Sequence, residues 1–160
     1  MVDSLGFRLK LGIIAPSTNT FVQPEMDAIR PYGVTNHFGR LDIPDDPIKN
    51  DDDFNKPLDV SLKGLKCGSP VQIAHVSEKQ LRNAIVEVDD SAVEAIVEVG
   101  TNLAMALLAG IAEFWIDKPV IAINTAIYWH ALRQSGVTDR VPGFGSLNTD
   151  GRWTMTVHST

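Results

Sequence analysis

The chain has 160 residues and only one cysteine, Cys67. A single cysteine excludes an intramolecular disulfide framework and fits a reducing compartment. The first ten residues lack the apolar stretch of a signal peptide. No segment approaches the roughly 20 consecutive apolar residues that a membrane helix requires. We therefore expect a cytoplasmic protein without a membrane-embedded part.

Basic charge is also scarce. Lys and Arg number 14 against 20 Asp and Glu, which gives a net charge of −6, and the basic residues are scattered, so nucleic acid is not an expected partner. The chain has no G-x-G-x-x-G, Walker or G-x-S-x-G motif, and neither H-x-x-x-H nor C-x-x-C. The acidic segment 42–59 lacks the alternating ligands and glycine turn of a calcium loop, so it is predicted to be solvated. We expect no cofactor and no metal site.

The sequence does contain alternating strand and helix patterns. Apolar runs predict strands at 8–15, 34–41, 58–65, 92–99 and 118–123. Helical periodicity or capping residues predict helices at 23–30, 77–90, 103–115 and from Asn124 or Thr125 to 134, the second opening with a Ser77–Gln80 capping box. This alternation predicts an α/β fold whose parallel sheet is sandwiched by helices. Residues 1–147 are expected to form one α/β unit, and 148–160 a tail.

Three polar loops follow predicted strands: Pro16–Thr20, Gly100–Asn102 and Asn124–Thr125. Ligands of parallel sheets bind at the carboxyl ends of the strands, so these loops form the predicted substrate site. Its candidate residues are Pro16, Ser17, Thr18, Asn19, Gly100, Thr101, Asn102, Asn124 and Thr125. Their hydroxyl, carboxamide and backbone N–H groups at helix starts suit a carboxylate. The alternative is that these side chains only cap helices and turns.

Candidates for a nucleophile or base are few. A reactive cysteine needs an electropositive setting, and Cys67 has only Lys66 beside it, so burial without reactivity is the alternative. His75 directly precedes a predicted helix, where it could reach a ligand or bond to the backbone. The catalytic residue is therefore left unassigned between these two weak candidates.

Several segments carry a family resemblance. They are Leu11–Thr20 (LGIIAPSTNT) followed by Pro24-Glu25, Gly100–Leu103 (GTNL), Lys118–Ile121 (KPVI), Tyr128–Arg133 (YWHALR), Gly136 and Gly143–Leu147 (GFGSL). In order and spacing they resemble the Asp/Glu racemase superfamily, in its branch of maleate isomerases and arylmalonate decarboxylases. The resemblance covers approximately 1–45 and 60–147.

The resemblance implies two similar α/β lobes facing each other across a cleft, with one catalytic cysteine in each lobe. It further implies cofactor-independent isomerase or decarboxylase chemistry on a small dicarboxylate. Asn19 matches an asparagine that binds a substrate carboxylate, and Thr101 and Asn102 match the residues after the second cysteine. Gly100 occupies the position of that cysteine. The chain is shorter than two lobes, so a segment is expected to be missing or shortened near 55–61, where the first-lobe cysteine would fall.

Two alternatives to this enzyme remain open. One is a non-catalytic, carboxylate-binding or degenerate member of the family, because Gly100 has no side chain. The other is an enzyme in which Cys67 or His75 acts as the base. A homo-oligomer is expected in each case, because a half-cleft built from one chain leaves apolar surface to cover.

Overall fold

The computed structural model describes residues 3–43, 67 and 69–149. These residues form an α/β structure, as predicted. Its elements are β1 (Leu9–Pro16), α1 (Val22–Ile29), β2 (Val34–Leu41), α2 (Pro70–Ile73), α3 (Glu78–Val88), β3 (Ile96–Glu98), α4 (Ala106–Ile116), β4 (Val120–Ala122), α5 (Ile123–Gln134) and α6 (Ser146–Thr149). The predicted strand at 58–65 and the junction near 55–61 lie outside the described residues.

The strands form two parallel pairs. β1 pairs with β2, from Leu9 opposite Val34 to Pro16 opposite Leu41. β3 pairs with β4 over three residues, from Ile96 opposite Val120. In the described part of the chain these are two separate two-stranded sheets, so the prediction of one parallel sheet is wrong there. Alternating elements identify strand–helix–strand units, but they do not determine which units join edge to edge.

Helices cover only one face of β1 in the described structure. Leu9, Leu11 and Ile13 pack against the core, whereas Ile14 on the opposite face is 74% exposed. The prediction that helices sandwich the sheet is therefore wrong for this strand. The continuous apolar run around Ile13-Ile14 is typical of a strand buried on both faces. The alternation of half-buried and exposed side chains along β1 was therefore not visible in the sequence.

Each strand pair has its own core. The first core joins β1, α1, β2 and α5, and contains the fully buried Ile29, Val34, Tyr128 and Leu132. The second joins α3, β3, α4 and β4 around Leu81, Ile85, Met105, Leu108, Ala109, Ala112 and Val120. Ala106 at the start of α4 belongs to the first core. Because α5 of the first core also contacts β4 and α4 of the second, the two cores adjoin each other.

α4 approaches the loop before α6 closely at Gly110. A Cβ atom at this position would lie 2.5 Å from the backbone nitrogen of Gly145, so a larger residue would push the helix away. α4 also leaves Leu107, Ile111 and Phe114 exposed.

None of the helices in the described ranges is long and apolar enough to cross a membrane. The homo-oligomer stays a prediction.

The predicted helix boundaries need two corrections. α4 begins at Ala106 rather than 103, because Gly100–Leu103 forms a turn in which Leu103 N donates to Gly100 O at 2.9 Å. The predicted tail starts too early, since Asn148 is buried in α6 and accepts a hydrogen bond from Val141 N. The capping box at the start of α3 is confirmed: Gln80 N donates to Ser77 Oγ, and Ser77 N donates to Gln80 Oε1.

Candidate functional site

The three polar loops meet. Asn19 Nδ2 donates to Thr101 Oγ1 at 3.0 Å, which joins the loop after β1 to the loop after β3. Asn124 Nδ2 at the start of α5 donates to Thr101 O at 3.0 Å. The predicted convergence of these loops is therefore confirmed, although β1 and β3 belong to different strand pairs.

A cavity of about 190 Å³ opens between these loops. Of the predicted site residues, Pro16, Asn19, Thr101 and Asn124 line it. The rest of its wall is apolar and consists of Ile13, Ile14, Ala15, Val22, Met26 and Ile127. The space equals about six water molecules at their liquid volume, which suits a small organic acid.

Other predicted site residues hold the loops together instead of lining the cavity. The buried Asn102 accepts from Thr20 N at 2.8 Å and donates to Thr18 O and Pro70 O at 3.2 Å each. Ser17 is exposed, and its Oγ accepts from Ile43 N at 2.9 Å. These contacts are the capping and turn bonds of the alternative interpretation.

Asn19 has both roles. Its Oδ1 accepts from Phe21 N at 3.1 Å and from Val22 N at 2.9 Å, so it satisfies the first free N–H groups of α1. One N–H of its amide is bound to Thr101, and the residue also lines the cavity. The cap fixes the orientation of this amide, which leaves its second N–H as a donor for a ligand.

The expectation that Asn124 or Thr125 caps the last long helix is wrong. α5 begins at Ile123, directly after β4, so both residues lie inside its first turn and are buried. The cap comes from outside the segment, because Ile123 N donates to the carboxylate of Glu98. Asn124 Oδ1 and Thr125 Oγ1 have no hydrogen-bond partner among the described residues.

Glu25 occupies the start of α4. Its Oε1 accepts from Ala106 N at 2.8 Å, and its Oε2 accepts from Asn124 Nδ2 at 2.6 Å. The helix N-terminus that could receive a ligand carboxylate is thus filled by a carboxylate of the chain itself. Burial raises the pKa of Glu25 above its ordinary value, against the lowering effect of these bonds.

Glu98, at the end of β3, is the second half-buried carboxyl group beside these loops. It accepts from Gly100 N and from Ile123 N. Burial raises its pKa to about 7; the two backbone bonds oppose this increase, and the negative charge of Glu25 adds to it. Glu98 was not predicted as a site residue, although an acidic residue near the end of the apolar run Ala95–Val99 is a visible signal in the sequence.

Gly100 leaves room for this carboxyl group. A Cβ atom built on Gly100 would lie 2.9 Å from Glu98 Oε1 and 2.9 Å from Leu103 Cδ1. A cysteine at this position would therefore require both side chains to shift. At the position where the resemblance implies a cysteine, the chain therefore has a glycine with a carboxyl group beside it.

Cys67 and His75 are not among the residues that line the cavity. Cys67 is a half-buried free thiol. His75 is exposed, and its backbone N donates to Gln72 O at 3.0 Å. Neither weak candidate is brought to the cavity wall in the described structure.

Arg40, which the sequence analysis did not select, brings a positive charge to the first loop. Its Nη1 donates to Asn19 O at 2.7 Å, and its Nη2 donates to Gln23 Oε1 at 2.9 Å. The site thus combines an apolar cavity with amide and hydroxyl donors, and Arg40 at the end of β2 places a cation on the first loop. Such a set can bind a small anion. Glu98 is not among the residues that line the cavity.

Neither the models of known protein families nor the curated proteins compared with this sequence give a match. The resemblance to the Asp/Glu racemase superfamily therefore depends on the motifs in the sequence alone.

Proposed function

We propose that the cavity binds a small dicarboxylate and that the chain is a member of the Asp/Glu racemase superfamily, acting as a cofactor-independent isomerase or decarboxylase through carbon-acid chemistry. The observation that carries the proposal is the convergence of Asn19, Thr101 and Asn124 on one cavity of suitable size. Asn19 and Thr101 match residues that the resemblance assigns to the active site, and Asn124 lies in the third polar loop predicted from the strand ends.

The donors around the cavity support a carboxylate ligand. Thr101 Oγ1 accepts its bond from Asn19, so its own proton is available to donate. The second N–H of the Asn19 amide is a further donor. Arg40 adds a positive charge to the first loop through its bond to Asn19 O.

The same arrangement supports carbon-acid chemistry. Removal of a proton next to a carboxylate develops negative charge on the carboxylate oxygens, and fixed donors stabilise that charge most effectively where water is excluded. Ile13, Val22 and Met26 give the cavity an apolar wall, while Ile14 and Ile127 on its rim are exposed. The reaction also needs a base, for which the superfamily uses a thiol.

A second candidate is a non-catalytic protein that binds a small carboxylate. It is favoured by the glycine at position 100, and by the absence of Cys67 and His75 from the cavity wall formed by the described residues. It predicts binding without turnover. The two candidates therefore share a ligand and differ in whether that ligand reacts.

Binding is tested by calorimetry and thermal unfolding with maleate, aspartate, glutamate and an arylmalonate, followed by NMR detection of product. A ligand at 100 times its Kd is expected to add about 2.7 kcal/mol to the unfolding free energy. Thr101→Val, which removes one hydroxyl donor, is expected to weaken binding about tenfold. Thr138→Val, at an exposed position, is the matched control.

The outcomes separate the two candidates. Binding with product formation supports the enzyme, and binding without product supports the non-catalytic protein. If none of these diacids binds at millimolar concentration, both candidates are wrong. Equal affinities of the Thr101 and Thr138 variants would place the ligand outside the cavity.

A further inference from the structure

The residues that line the cavity separate into a polar cluster and an apolar wall. Asn19 Nδ2 donates to Thr101 Oγ1 at 3.0 Å, and Asn124 Nδ2 donates to Thr101 O at 3.0 Å, so the three polar residues contact one another through Thr101. The other lining residues are apolar: Ile13, Ile14, Ala15, Pro16, Val22, Met26 and Ile127. None of the described residues that line the cavity is charged. A ligand therefore meets hydrogen-bonding groups in one place and aliphatic side chains elsewhere.

The polar cluster has free side-chain donors for one carboxylate. Asn124 uses both N–H groups of its amide, on Glu25 Oε2 at 2.6 Å and on Thr101 O. The hydroxyl proton of Thr101 and the second N–H of Asn19 remain, and these two side chains already contact each other. Two adjacent donors match the two oxygens of a single carboxylate. A second carboxylate inside the cavity would face aliphatic groups, and burial of an unpaired charge is costly.

We propose that the cavity recognises its ligand by one carboxylate and an apolar chain, and therefore binds short aliphatic monocarboxylates such as butanoate as well as dicarboxylates. This inference rests on the proposed function only in taking the cavity as the ligand site. The carboxylate lies at Asn19 and Thr101, and the chain lies along the apolar wall. The second carboxylate of a diacid lies in water at the rim, where the lining residues Ile14 and Ile127 are 74% and 48% exposed.

The apolar wall suits a chain of a few carbon atoms. Ala15, Val22 and Met26 are buried, so their aliphatic surface beside the cavity is held in place by the core. The cavity of about 190 Å³ holds about six water molecules, and butanoate has a similar number of non-hydrogen atoms. Each methylene group that moves from water onto such a wall is expected to increase the affinity about fourfold. The affinity should therefore increase with chain length until the chain reaches the rim.

The test is an NMR titration of the full chain with acetate, propanoate, butanoate and succinate at neutral pH. The Kd of butanoate is expected to be about 15-fold lower than that of acetate, because butanoate places two further methylene groups on the wall. Succinate has a carboxylate in place of the terminal methyl group of butanoate, so it should bind no more tightly than butanoate. Equal affinities of acetate and butanoate, or an affinity for succinate about tenfold above that for butanoate, would overturn the inference.

Ile127→Thr tests the apolar wall without changing the donors. It removes aliphatic surface at the rim and is expected to weaken butanoate binding about fourfold, with a smaller effect on acetate, which has no chain to place there. Ile111→Thr on α4 is the matched control, because Ile111 is 46% exposed against 48% for Ile127 and is not among the residues that line the cavity. The same loss of affinity in both variants would overturn the inference. If Ile127→Thr does not fold, the wild-type series alone decides.

The failures of the two proposals are distinguishable. If diacids bind but the affinity for monocarboxylates does not increase with chain length, the inference is wrong and the proposed function stands. If butanoate binds and none of the diacids does, the inference is supported and the proposed function is wrong. Absence of binding by every acid in both sets overturns both proposals.

Discussion

In the two strand–helix–strand units, different kinds of side chain bind the free backbone N–H groups of the loops that follow the strands. After β1 the free backbone groups are bound by neutral amides: Asn19 caps α1, and Asn102 accepts from Thr20 N. At the ends of β3 and β4 the same task falls to carboxyl groups, with Glu25 at the start of α4 and Glu98 at the start of α5. Hydrogen bonds to neutral amides do not depend on pH in this range, whereas those to a half-buried carboxyl group depend on its protonation. The contacts of the first loop are therefore expected to be independent of pH, and those of the second to change as Glu98 titrates.

Loss of the Asn102 amide, which links the two loops, is expected to change the unfolding free energy more than the other substitutions considered. Asn102→Ala removes three hydrogen bonds and leaves Thr20 N, Thr18 O and Pro70 O without this partner. Because unpaired, partly buried polar groups are costly, the unfolding free energy should decrease by about 3 kcal/mol. Urea unfolding followed by circular dichroism measures it.

Asn83→Ala, on the exposed face of α3, is the control for this change and should have little effect. Ligand binding should weaken in Asn102→Ala, since Asn19 and Thr101 on the cavity wall are then held together less firmly. An Asn102 variant as stable as the control would mean that the two loops are joined by other contacts, and that the first loop does not depend on neutral amides.

The pH dependence of stability is the next largest effect. The pKa of Glu98 is about 7 in the folded state against 4.5 ordinarily, so between these values the folded state binds more protons than the unfolded state. Stability is therefore greatest below pH 4.5 as far as Glu98 is concerned, and it decreases as the pH rises through 7. At 1.36 kcal/mol per pKa unit, discounted for partial exposure, the loss is roughly 2 kcal/mol. The raised pKa of Glu25 acts in the same direction.

Unfolding measured between pH 5 and 8 tests this dependence. Glu98→Gln should flatten the profile because the amide does not titrate, whereas Glu94→Gln should keep the wild-type slope. A profile that stays equally steep in Glu98→Gln would assign the dependence to another group, and the contrast between the two loops would lose its physical basis.

The sequence predicted the loops of this site but not its charges. Hydroxyl and amide residues after apolar runs were enough to place Asn19, Thr101 and Asn124 together, because strand ends are a local property. The carboxyl pair was not predictable in this way, since Glu25 and Glu98 lie on different elements and interact only through the packing of α1 near α4 and α5. The division of the strands into two pairs was missed for the same reason, because apolar runs predict where strands lie but not which strands pair with each other.

Loss of the capping box of α3 is expected to cause the smallest change in unfolding free energy. It also tests whether the pH dependence of the strand ends extends to α3. α3 packs in the same core as β3 and β4, yet its first turn is closed by neutral groups, Ser77 and Gln80. Ser77→Ala should lower the unfolding free energy by about 1 kcal/mol, and Ser91→Ala, in an exposed turn, should change it little. Because neither partner titrates, the loss in Ser77→Ala should be the same at pH 5 and pH 8 in urea unfolding. A loss that varied with pH would mean that the protonation of Glu98 affects the stability of the whole second core. A constant loss would mean that its effect is limited to the strand ends beside the cavity.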